Sequence, residues 1–105
     1  MSVFMQSTLE LKAADMAVFT ATMNEVVSIV EGEGWHLITA VMQVSGRLHT
    51  AIDLWRLDDL NHFQRGLVAL QKHPRFAAIS KVLGESIERE TVVFGVEAPW
   101  VPAGR

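Results

Sequence analysis

Two histidines, an aspartate and a tryptophan lie close together in the run His36–Arg56, HLITAVMQVSGRLHTAIDLWR. β-Branched and apolar residues flank Ser45-Gly46 there, which reads as a β-hairpin. With a loop of two or four residues, His36 lies opposite Trp55, Ile38 opposite Asp53, Ala40 opposite Ala51 and Met42 opposite His49. Asp53 is then the diagonal neighbour of His36, about 7 Å away at Cα. A carboxylate held against an imidazole fixes its tautomer and raises its basicity, as a general base for enolising a ketone or phenol requires. Trp55 beside them offers a platform for a flat aromatic substrate. The plainer reading is a polar pair that satisfies itself or meets a partner across a dimer, since structural networks hold such pairs as well.

The other candidates are weaker. His49 stands about 13 Å along the strand from Asp53 and fits a dimer rim better than the same dyad. Arg56 falls on the opposite face, where an ion pair with Asp58, Asp59 or Glu88 is a simpler role than an anion clamp. His62 and His73 are about 16 Å apart along a helix, too far to share a metal. Glu33 with His36 and Asp59 with His62 have acid-x-x-His spacing, but neither has a second histidine nearby, so no metal, haem or other cofactor is assigned. Met5, Met16, Met23 and Met42 read as core filler. The chain has no Gly-rich phosphate loop and no nucleophile elbow.

The elements that must position these residues follow in chain order. Val3 to Leu11 alternates as a first strand. Asp15 can cap a helix whose stripe is Met16, Phe19, Met23, Val26, Val27 and Val30, ending near Glu31 with Gly32 and Gly34 as the stop. After the hairpin, Asp58-Asp59 starts a second helix with Leu60, Phe63, Leu67 and Leu70 inward. His73-Pro74 breaks it, Pro74 suits the first position of a third helix, and Gly84 ends that helix. Glu90 to Val96 is the fourth strand, and residues 98–105, with Pro99 and Pro102, form an irregular tail. The order is the ferredoxin-like split βαβ of the α+β class: a four-stranded antiparallel sheet with its helices on one face. No linker interrupts it, so residues 1–105 form one domain.

The aliphatic hairpin face, Leu37, Thr39, Val41, Thr50, Ile52 and Leu54, is expected under the helices. The mixed face, with His36, Ile38, Met42, Asp53 and Trp55, then looks outward. That patch exceeds what a monomer usually exposes, so a homodimer with its sheets face to face and a small cavity between them is expected. Phe4 and Phe94 line that cavity or the dimer core, and Trp100 anchors the tail on the partner.

Net charge is −3 and half the residues are hydrophobic. With no basic stripe, nucleic acid is a poor partner. With no cysteine, disulfides, thiolate metal sites and thiol catalysis are excluded. The start lacks a secretory pattern and no apolar run reaches the ~20 residues of a membrane span, so a cytoplasmic location is expected.

At Asp53-Leu54-Trp55-Arg56-Leu57-Asp58-Asp59-Leu60, followed by His73-Pro74-Arg75-Phe76, the chain resembles the NIPSNAP family. The likeness is best over Trp35–Phe94 and centres on Leu-Trp-Arg-x-Asp-x-Leu. Leu57 stands where that family has tyrosine and Asp59 where it has serine, and Met5–Leu9 lacks its acid-and-arginine pattern. The His73-Pro74-x-Phe76 helix start also resembles aromatic polyketide cyclases. The resemblance implies a dimeric α+β barrel, a fold that hosts cofactor-independent monooxygenases, cyclases, isomerases and haem enzymes without selecting among them.

The expectation is therefore a dimer holding a small apolar or aromatic molecule between its sheets. Any chemistry would be cofactor-independent acid/base work by His36 and Asp53, with Trp55, Met42, Ile38, His49 and Phe94 around the substrate. The alternatives are a monooxygenase or polyketide-cyclase-like enzyme, and a non-catalytic interaction module.

Overall fold

In the computed structural model, which describes every residue except Met1, Ala13, Ala14 and Arg105, the chain forms β1 (Val3–Leu11), α1 (Met16–Gly32), β2 (His36–Met42) and β3 (Thr50–Leu57), followed by α2 (Leu60–Lys72), α3 (Phe76–Ser86) and β4 (Ile87–Gly95). The strands make one sheet in the order β2-β3-β1-β4, each neighbour antiparallel. This is the ferredoxin-like α+β fold read from the sequence.

Local chemistry sets the helix starts. The Asp15 carboxylate accepts from the amides of Ala17 and Val18 at 3.0 and 3.1 Å, and Asp59 accepts from the His62 amide at 2.9 Å. Each satisfies amides that the first turn leaves without an intrahelical partner. Gly34, at φ +93°, turns the chain back out of α1.

The core lies on the face of the sheet under the helices. One cluster joins Met5, Trp55 and Leu57 of the sheet to Val30 and Trp35; the other joins Leu9, Leu11 and Ala51 to Phe19. Of the α1 stripe, Phe19 and Val30 are buried, whereas Met16 stays exposed at the first turn.

The boundaries of α3 and β4 differ from expectation, since β4 starts at Ile87 and not at Glu90. Pro74 sits in the turn between α2 and α3, because α3 begins at Phe76. Gly84 does not end α3: the helix runs on to Ser86 and β4 follows directly from Ile87. Packing over the sheet outweighs the ~1 kcal/mol cost of one helical glycine.

The hairpin differs most. Its loop spans residues 43–49, not two or four, with Gly46 and His49 at positive φ. Ala40 and Met42 pair with Asp53 and Ala51, but the register shifts between Leu37 and Thr39, so Leu37 pairs with Trp55 and His36 with Arg56. A bulge of this kind exchanges the faces on its two sides. His36 therefore stands on the sheet face opposite to Asp53 and Trp55. The face carrying Asp53 and Trp55 is also the one beneath the helices, the reverse of the expected orientation. Burying the large Trp55 ring against Trp35 and Met5 outweighs burying Leu54, which with Ile52 points to the open side.

Candidate functional site

Between the helices and the sheet lies a cavity of about 540 Å³. Its floor is the inward row of each central strand: Met5, Ser7 and Leu9 of β1, and Asp53 and Trp55 of β3. Glu90 and Val92 of β4 continue the floor, opposite Leu9 and Ser7. The walls are apolar side chains of α1, α2 and α3, among them Val26, Leu67 and Leu83. Glu90, Val92, Ser80 and Gly84 are themselves exposed, which places the mouth of the cavity between α3 and β4.

Aromatic contacts shape one end. Trp35 stacks on Phe63 at 5.6 Å and meets Trp55 edge-on at 5.4 Å. Phe63 in turn meets Phe94 edge-on at 5.1 Å. Trp35 Nε1 donates to the His62 carbonyl at 2.9 Å. The indole fits there because Gly66 of α2 has no side chain: a Cβ at that position would lie 2.2 Å from Trp35 Nε1.

His62 fixes this end of the cavity. Its ring is buried, and Nδ1 accepts the Asp58 amide at 3.0 Å. Nε2 must then carry the hydrogen, which it donates to the Glu33 carbonyl at 2.6 Å. The side chain thus ties the start of α2 to the turn before β2 as a neutral imidazole with both nitrogens engaged, and it is a structural strut, not a ligand waiting for a metal.

The polar groups of the cavity are few and acidic. Asp53 is only 7% exposed. The Ser7 hydroxyl, opposite it on the ladder, donates to Glu90 Oε2 at 3.4 Å instead. Among the described residues the Asp53 carboxylate has no hydrogen-bond donor. Its pKa is raised, first by burial, which penalises the charged form, and then by the nearby Glu90 carboxylate. A carboxyl group whose pKa is raised by an apolar cleft suits acid/base catalysis, and such groups cluster at functional sites.

Of the residues named from sequence, Asp53 and Trp55 line this cavity, and Phe94 touches it through Phe63. His36 and Ile38 instead line an open groove of about 900 Å³ on the other sheet face, with Phe4, Leu54, Arg56 and Val101. The expected His36–Asp53 dyad does not form, because the bulge at Ile38 puts the sheet between them. Met42 and His49 sit at the hairpin end and line neither space. Arg56 has no ion-pair partner among the described residues, and Glu88, once expected to meet it, pairs with Arg47 at 2.9 Å. Ser7, Trp35, Phe63 and Glu90 were not singled out as site residues. Their signal is visible in hindsight: Ser7 between Met5 and Leu9, and Glu90 before Val92 and Phe94, are polar interruptions of apolar alternation.

The NIPSNAP family model matches residues 6–102. The chain belongs to the NIPSNAP family. Comparison with curated proteins gives no match. Among solved structures, an uncharacterised NIPSNAP domain protein from Burkholderia xenovorans aligns with TM-score 0.76 and 24% identity, covering 97% of this chain and 99% of its own. A NIPSNAP family protein from Agrobacterium tumefaciens gives TM-score 0.83 at 16% identity, with 98% and 99% covered. SnoaB, a cofactor-independent oxygenase from Streptomyces nogalater, gives 0.71 at 11% identity, with 96% and 97% covered. At these identities the likeness establishes the fold that this NIPSNAP chain shares with an oxygenase, and the chemistry must be argued from the cavity.

Proposed function

We propose that this NIPSNAP protein binds a small apolar or aromatic molecule in the cavity between its helices and its sheet, where Asp53 handles a proton on the bound molecule. The observation that carries this reading is a desolvated carboxyl group without a donor, facing an apolar space large enough for a two- or three-ring molecule. Burial penalises the charged form of such a group, a cost that function can justify where packing does not. Trp55 and Phe63 supply flat surfaces, and Asp53 takes or returns the proton as cofactor-independent enolisation demands. The likeness in fold to SnoaB is consistent with this and adds nothing about substrate. His36 has no part in this site.

The open sheet face supports a second assignment, a homodimer. Ile38, Val41 and Val93 are 40%, 50% and 55% exposed there, beside the groove that holds Phe4 and Leu54. Two such faces brought together would bury them and close the groove. Among the described residues no helix is long and apolar enough to cross a membrane. Burial against a second copy is the cover we assign to the open sheet face.

Native mass spectrometry of the protein purified from its own host tests both. The expected result is a dimer carrying added mass that is lost on denaturation, with that mass absent from Leu83→Trp, whose larger ring fills the cavity. A ligand-bearing Leu83→Trp protein would place binding elsewhere, and a monomer would remove the dimer.

A further inference from the structure

We propose that the molecule bound in the cavity is a cation, an aromatic or alkyl primary amine whose ammonium group sits between Asp53 and Glu90. The inference rests on the cavity being the ligand site and specifies the charge of what enters it.

Among the described residues that line the cavity there is no lysine, arginine or histidine, and its two charged side chains are both carboxylates. The nearby arginines are on the far side of the sheet. Arg56 is paired across the ladder with Phe4 and His36, and Arg89 is paired with Glu10, which its guanidinium meets at 3.8 Å. Both carboxylates thus face an apolar space with no counter-charge supplied by the protein. Asp53 is buried and Glu90 stands exposed at the mouth, so two like charges meet there without a cation between them and the cavity is at negative potential. An incoming carboxylate or phosphate would add to that repulsion, and a neutral molecule would leave it in place. An ammonium group removes it and offers three N–H donors to acceptors that have almost none. Ser7 is the exception: its hydroxyl donates to Glu90 and holds that carboxylate toward the floor.

The walls suit an organic cation better than a metal ion. Trp35, Trp55 and Phe63 attract a cation through their ring quadrupoles. A hard metal ion needs six or more oxygen ligands, and among the described residues no three histidine, aspartate or glutamate side chains gather to provide even half of them.

The test uses three probes with one ring system and different head groups: 1-naphthylmethylamine, 1-naphthylmethanol and 1-naphthoic acid. Each is titrated calorimetrically near neutral pH into the wild-type protein, Asp53→Asn and Glu90→Gln. The amine should bind about tenfold or more tighter than the alcohol, as charge-assisted contacts to two carboxylates imply. The acid should not bind, and Asp53→Asn should weaken the amine and bring amine and alcohol to within about threefold of each other. Amine binding no tighter than alcohol binding overturns the cation and leaves the cavity as a site for neutral molecules. A preference for the amine that survives both substitutions overturns the placement of the ammonium. Failure of all three probes to bind overturns the cavity reading itself.

Discussion

Gly66→Ala should lower the melting temperature by roughly 10–20 °C, corresponding to about 2–3 kcal/mol of lost stability in a domain of this size. One methyl group causes this because of where it lands. The Cβ of residue 66 would fall 2.2 Å from Trp35 Nε1 and 2.3 Å from Trp35 Cε2, inside the indole and far below any tolerated contact. The ring has nowhere to go. It is stacked on Phe63, edge-on to Trp55 and hydrogen-bonded to the His62 carbonyl. The ~1 kcal/mol that alanine gains over glycine within a helix offsets only part of the clash. Gly84→Ala is the control, because nothing lies within 4 Å of its added Cβ. It should stabilise by about 0.5–1 kcal/mol through helix propensity alone. Thermal unfolding of the two variants side by side checks the packing. Equal effects would mean that Trp35 does not lie against α2.

The second large effect is expected at Asp53. Its raised pKa means that the folded protein keeps a proton which the unfolded chain gives up. Stability therefore falls as pH climbs from the ordinary aspartate value of 3.8 through the higher folded value, and the loss is complete above it. Asp53→Asn keeps the shape and removes the ionisation. The variant should match the wild type below that window and melt higher above it. The same change should cost ~10²–10⁴ in turnover of any substrate whose proton Asp53 takes. Greater stability with lost activity is the behaviour of a functional group retained against the interest of the fold. A variant less stable than wild type at neutral pH would instead assign Asp53 a structural partner.

The fold was legible because each element carried its own signal. The Asp15 and Asp59 caps, the spacing of Phe19, Met23, Val26 and Val30, and the break at His73-Pro74 together gave the βαββαβ order with its extra helix. The site was less legible, for one local reason. Strand faces depend on register, and the bulge beside Ile38 shifts register by one residue, which moves His36 to the other side of the sheet from Asp53. No residue type at 37–39 announces such a bulge, since Leu37, Ile38 and Thr39 are ordinary strand formers. The inward face was misjudged because it was taken to be the purely aliphatic one. In this protein the buried face of β3 carries Asp53 and Trp55, and aliphatic Ile52 and Leu54 lie on the open side. An aspartate between Ala51 and Trp55 in an inward row marks the cavity once the face is known.

The central claim is that the ligand site lies between helices and sheet, not on the sheet's open face. Intermolecular NOEs from bound 2-naphthol to methyl groups decide it most directly. Val26, Leu67 and Leu83 line the inner cavity, whereas Ile38, Leu54 and Val96 line the open groove. The account predicts contacts from the ring protons of 2-naphthol to Val26, Leu67 and Leu83. Contacts confined to Ile38, Leu54 and Val96 would contradict it and return the site to the face that carries His36.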